Sequence, residues 1–133
     1  MIPGPVFLGM AGWLAAIGFA VTLGLPLGLK LLGVGGSAWS AVMRFHYPLG
    51  LSILAIGLAH AWIPVASGQL WRVFGLGIAL GFAAFALMVV QCGLGVVLFR
   101  GGGLRPKTRR VHLATMIALV GILAVHVGLY TLR

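Results

Sequence analysis

The sequence predicts an all-α membrane protein with four transmembrane helices in an up-down-up-down bundle. Three observations carry that expectation. The chain of 133 residues is 62% hydrophobic and 7% charged, whereas a soluble domain is about 45–50% apolar and about 25% charged. Its mean hydropathy is +1.19, so the bilayer is the expected solvent. Its charges fall at 30, 44, 72, 100, 105, 107, 109, 110 and 133, leaving uncharged runs 1–29, 45–71, 73–99 and 111–132. Each run reaches the roughly 20 residues that a helix needs to cross about 30 Å of hydrocarbon.

The elements follow in order. "MIPGPVFLGMAGWLAAIGFAVTLGLPLGLK" lacks a positive n-region and exceeds an ordinary signal h-region, so it is expected as a retained first helix near 5–29. "LLGVGGSAWSAVM" (31–43) is Gly-rich and too short to cross, and is expected as a loop. The second helix is placed near 44–64. "PVASGQLW" (64–71) reads as a turn, with Pro64 and Gly68 as breakers. The third helix is placed near 72–99. "RGGGLRPKTRR" (100–110) reads as a loop through its three glycines and Pro106, and the fourth helix is placed near 110–131. Residues 1–133 form one membrane domain, with no stretch left for a separate soluble catalytic domain.

Net charge is +9, from nine Lys and Arg against no Asp or Glu. A nucleic-acid surface is rejected, because the cations are few and punctuate oily segments. Seven of the nine fall in the first and third connections (Lys30, Arg44, Arg100, Arg105, Lys107, Arg109, Arg110), against Arg72 and Arg133 on the other side. This bias predicts residues 30–44 and 100–110 on the cytoplasmic side of a bacterial cytoplasmic membrane, with both termini outside. The lone Cys92 sits in an apolar run as a small hydrophobe. No C-x-x-C-H is present for c-type haem attachment. The glycine pairs of "GLPLG" (24–28) and "GIALG" (77–81) suit close helix packing, or room for a flat ligand between helices.

The four histidines carry the chemistry. His46 and His60 lie 14 residues apart, and so do His112 and His126. Fourteen residues rise about 21 Å and turn roughly 40° short of four full turns, so each pair shares nearly one helix face. In an up-down-up-down bundle the second and fourth helices run parallel. His46 follows Arg44 by two residues and His112 follows Arg110 by two, so the pairs are level, and His46 is expected opposite His112 and His60 opposite His126. A tetrahedral metal site wants four ligands, or three and an open position. Each level here offers two nitrogens and neither carboxylate nor thiolate. A haem iron wants two axial ligands, because the porphyrin supplies four. Two b-type haems between helices 2 and 4 are therefore expected, one on His46 and His112 and one on His60 and His126. Arg44, Arg109 and Arg110 stand at the level of the first pair, where guanidinium groups can receive propionates. Simple positive-inside anchoring explains the same arginines without a haem.

Two parallel helices, each with such a histidine pair, resemble the four-helix diheme b-type membrane cytochromes. The arrangement is similar to the N-terminal half of cytochrome b of the quinol–cytochrome c reductases. "HYPLGLSILAIGLAH" (46–60) also resembles ferric-reductase-like and bacterial b-type cytochrome subunits. The resemblance covers the whole chain. It implies that the four histidines are axial ligands and that glycines on neighbouring helices lie against the macrocycles. Gly81 and Gly95 match that role best; Gly24 or Gly28, and Gly9 or Gly12, match it ambiguously. No P-E-W-type quinol-oxidation loop and no flavin or nicotinamide segment occur in these residues.

A bis-histidine iron has no open position, which favours electron transfer over oxygen chemistry. The expected function is electron relay across the membrane. The chain would act as a subunit of a larger respiratory or photosynthetic redox complex rather than as a stand-alone enzyme, with no catalytic residue of its own. Cytochrome c, an iron–sulfur protein or a flavoprotein would then be the partner. Without Asp or Glu no quinone site is assigned, though a quinone stays open as a partner. The arginines predict a higher potential for the cytoplasmic-side haem. The rival reading is a histidine-lined metal-ion or proton conduit. It calls for more polarity than Tyr47 and Ser52 between the first pair and Thr115 between the second.

Overall fold

The computed structural model describes residues 5–66, 68, 75–101 and 105–131, with side chains from Gly9 onward except that of Arg105. Four helices run in chain order: α1 (Pro5–Leu31), α2 (Gly36–Ala66), α3 (Leu76–Arg100) and α4 (Arg105–Thr131). All four are long and apolar enough to cross a membrane. The chain is an all-α, four-helix membrane bundle. In lipid every backbone N–H and C=O must be paired internally, and helices achieve this within one segment. Hydroxyls follow the same rule by donating back to their own helix. Thr22 Oγ1 donates to the Gly18 carbonyl at 2.8 Å, Ser52 Oγ to Pro48 at 3.0 Å and Thr131 Oγ1 to Val127 at 3.1 Å.

Two expected loops are shorter than the sequence suggested. Residues 31–43 were expected to be loop throughout, yet α2 starts at Gly36. The reason is a compact helix stop. Gly33 takes φ +67, its N–H bonds the Lys30 carbonyl at 3.2 Å, and the Val34 N–H bonds Leu29 at 2.9 Å. This pairing closes a helix around a left-handed glycine. The stretch "SAWSAVM" then has no breaker and continues as helix. Likewise α4 begins at Arg105 rather than near 110. Pro106 falls in its first turn, where the missing N–H has no intrahelical partner to lose. Pro64 lies inside α2 rather than ending it. Gly75 is the N-cap of α3; the expected start at 72, with Gln69, Trp71 and Arg72, lies outside the described residues.

Packing runs between sequence neighbours. α1 packs on α2, α2 on α3 and α3 on α4. The buried hydrophobic residues are Ala11, Ile53, Ala84 and Leu119. Ile53 and Leu119 each fall seven residues from the histidine before them and seven from the one after. They therefore occupy the middle of the interval between the two histidine levels.

Candidate functional site

Every histidine is half-buried and meets the helix that precedes its own. His46 on α2 hydrogen-bonds the backbone of Thr22 on α1. His112 on α4 hydrogen-bonds the backbone of Gln91 on α3. The Gln91 side-chain amide nitrogen also lies 3.2 Å from His112 Nε2. The hydroxyl of Thr115, one turn along α4, reaches the Gln91 amide oxygen. His60 lies on Gly12, where a Cβ would stand 2.9 Å from the imidazole Cε1 and 3.3 Å from Nδ1. His126 lies on Gly81, where a Cβ would stand 2.9 Å from Cε1 and 3.4 Å from Nδ1. Its Nδ1 donates to the Gly77 carbonyl at 2.8 Å, and Tyr130 meets its ring edge-on with centroids 5.3 Å apart.

These contacts expose an internal repeat. From the first hairpin (α1–α2) to the second (α3–α4), His46 and His60 map onto His112 and His126 by a shift of 66 residues. The same shift carries Arg44 onto Arg110 and buried Ile53 onto buried Leu119. On the preceding helices, Gly12 maps onto Gly81 and Thr22 onto Gln91 by a shift of 69. A glycine under one imidazole and a backbone bond to the other thus recur at matching positions.

The expected site residues distribute as follows. His46 and His112 lie close enough to interact electrostatically. His60 and His126 are each defined against their own hairpin. Gly81 touches the His126 ring tightly, whereas Gly95 makes ordinary contact, a Cβ there standing 3.9 Å from His112 Cε1. Of the glycines left open in the first helix, only Gly12 meets a histidine; Gly9, Gly24 and Gly28 have nothing within 4 Å of a Cβ. Arg44, Arg109 and Arg110 are exposed, with no acidic side chain in the chain to pair with. Reading the sequence alone passed over Thr22 and Gln91, and gave Gly77 and Tyr130 no role beside a histidine. The signal for the first two was present: the shift of 69 that carries Gly12 onto Gly81 also carries Thr22 onto Gln91.

The donor set suits a group that brings most of its own coordination. Among the described residues, no three His, Cys, Asp or Glu side chains gather to hold a metal ion. The Nδ1 atoms of His46 and His112 are buried and have no hydrogen-bond partner. An imidazole with one nitrogen held by the protein and the other open is the form in which histidine ligates a metal. His126 is also held through one nitrogen, there Nδ1. The residues fit axial ligation of haem. Fold and site together define a membrane-spanning four-helix bundle with two levels of histidine. Comparison with family models, curated proteins and solved structures finds no match for this chain.

Proposed function

We propose that this chain is a diheme b-type membrane cytochrome that relays electrons between the two sides of the bilayer. The observation that supports the reading best is the repeated placement of the histidines. Each hairpin sets two imidazoles 14 residues apart and braces them from its preceding helix, with the same spacings along each helix in both halves and a connection three residues shorter in the second. A core histidine satisfied by chance needs neither the second copy nor the matched brace. His46 with His112, and His60 with His126, are the axial pairs in this reading. Haem supplies a one-electron couple at each level.

The chain's own residues do the rest. The imidazoles of His46 and His112, and of His60 and His126, would hold the two haems. Thr22, Gln91 and Gly77 hold the rings, and Gly12 and Gly81 admit them against α1 and α3. Leu119 and Ile53 keep the interval between the levels apolar. About 21 Å of helix rise separates the levels, which spans most of the hydrocarbon. Exposed Arg44, Arg109 and Arg110 are positioned at the level of His46 and His112 to receive propionates or an acidic partner. The donor and acceptor belong to other redox proteins or to a membrane quinone.

The deciding experiment is a reduced-minus-oxidised absorption spectrum of the purified protein, with haem quantified per chain. A low-spin b-type spectrum with two haems per chain is the expected result. Folded protein, made with ample haem and containing none, would overturn the reading and bring forward a histidine-lined metal-ion or proton conduit.

A further inference from the structure

The two halves of the repeat differ in chemistry at several places, Tyr47 standing opposite Leu113 and Pro64 opposite Tyr130, and among them is the pair beside His46 and His112. At the level of His46 and His112, α1 contributes Thr22 and α3 contributes Gln91. Thr22 turns its hydroxyl back onto its own helix, to the Gly18 carbonyl at 2.8 Å. Gln91 instead spans to α4, with its amide nitrogen 3.2 Å from His112 Nε2. The repeat partner of Thr115 is Leu49, so the group that holds the amide also occurs only in the second hairpin. A primary amide in a lipid-embedded helix is costly unless its polar atoms are paired. Here the pairing is with a histidine and with the threonine three residues beyond it.

We propose that Gln91, held by Thr115, is a positioning residue for His112 that makes the two haem levels electronically unlike; this rests on the diheme reading. The amide adapts to the ring. With Nε2 bare, the Gln91 amide N–H donates to it and the Thr115 hydroxyl donates to the amide oxygen. With Nε2 protonated, half a turn of the amide presents its oxygen to Nε2–H. Thr115 then accepts from the amide nitrogen while its hydroxyl donates to the Val111 carbonyl, 3.0 Å away. In the second arrangement Nδ1 of His112, which is buried without a hydrogen-bond partner, would be the nitrogen left to hold the haem iron. An acceptor on the far nitrogen of a ligating imidazole strengthens it as a ligand and favours ferric iron. Gln91 therefore adds a side-chain acceptor at a level where its backbone already takes the His112 ring, and so lowers the potential there; at the other level His126 donates to the Gly77 carbonyl, which Gln91 does not touch.

The test is a redox titration and low-temperature EPR spectrum of the haem-loaded full chain, with haem counted first. The variants are Gln91→Met, which keeps the shape, Gln91→Glu, which keeps an acceptor oxygen, and Thr115→Val. His60→Leu identifies which titration wave belongs to which level. Gln91→Met is expected to retain two haems, to move only the His46–His112 wave upward and to shift only that haem's g-values. Thr115→Val should move the same wave the same way by less, and Gln91→Glu should restore it toward wild type. Both waves unmoved, or both moved equally, in Gln91→Met would overturn the role of Gln91 while leaving two haems in place. A wild-type chain without haem would overturn the diheme reading and this inference with it, and the haem count separates the two failures.

Discussion

Gly12 lies so close to His60 that a Cβ at position 12 would stand 2.9 Å from the imidazole Cε1, a separation at which something must move. Gly81 stands in the same relation to His126. Replacing either with valine is expected to displace one imidazole and reduce two haems per chain to one. Gly9→Ala, where a Cβ meets nothing within 4 Å, should leave both. Haem per chain from pyridine hemochromogen spectra would decide it; equal haem content in all three variants would break the link between these glycines and the site.

The levels should be lost separately. His46→Leu or His112→Leu is expected to remove one haem and one titration wave, and His60→Leu or His126→Leu the other. The double variant His46→Leu with His60→Leu should contain none while far-UV circular dichroism still reports helix. If one replacement at either level abolished both haems in a folded chain, the levels would not be independent sites.

Leu119 is fully buried, and Ile53 is 3% exposed. Truncating a buried leucine or isoleucine to alanine costs roughly 2–5 kcal/mol, through lost contacts and the cavity left behind. Leu119→Ala and Ile53→Ala should therefore lower the denaturation midpoint in detergent clearly. Leu113→Ala, at a residue 54% exposed, should shift it by no more than about 0.5 kcal/mol. Equal effects at all three positions would mean that residues 53 and 119 do not anchor the packing.

Arg44, Arg109 and Arg110 carry charge that no acidic side chain of the chain offsets. Cations near a haem disfavour its ferric form. Replacing each with Gln is expected to lower the potential of the His46–His112 haem and to leave the other in place. Potentiometric titration at low and high salt would show it, because exposed charge is screened beyond about 10 Å at 0.1 M. A shift of the other wave instead would put these arginines at the wrong level.

Much of the architecture was legible in the sequence because the solvent is severe. Lipid permits few charges in a span, so the cations divide the chain into four apolar runs, although Arg44 lies inside α2 and Arg109 and Arg110 inside α4. What misled was punctuation. Glycine at 33 stops a helix and the glycine at 36 begins the next, both with left-handed backbone, and composition alone does not say which does which. Pro106 reads as a breaker yet sits where a helix tolerates proline best. The histidines were legible by spacing. Gln91 emerges only once the two hairpins are aligned, because a single amide in an apolar run has no periodicity of its own and its meaning depends on a threonine 24 residues away. Gly12 and Gly9 could not be told apart without the helix crossing that puts only Gly12 under His60.

The correspondence between the hairpins bears on how such a protein can be assembled. In the proposed diheme arrangement each of the two levels draws one histidine from each half, so neither half alone would own a complete site. The halves meet chiefly along α2 and α3. A chain severed between Ala66 and Gly75 would yield two fragments of near-equal design, each inert by itself. Co-expressed, they should restore both levels by complementation. A permuted gene encoding the second hairpin before the first should do the same, since the order of the halves is a matter of connectivity and not of chemistry.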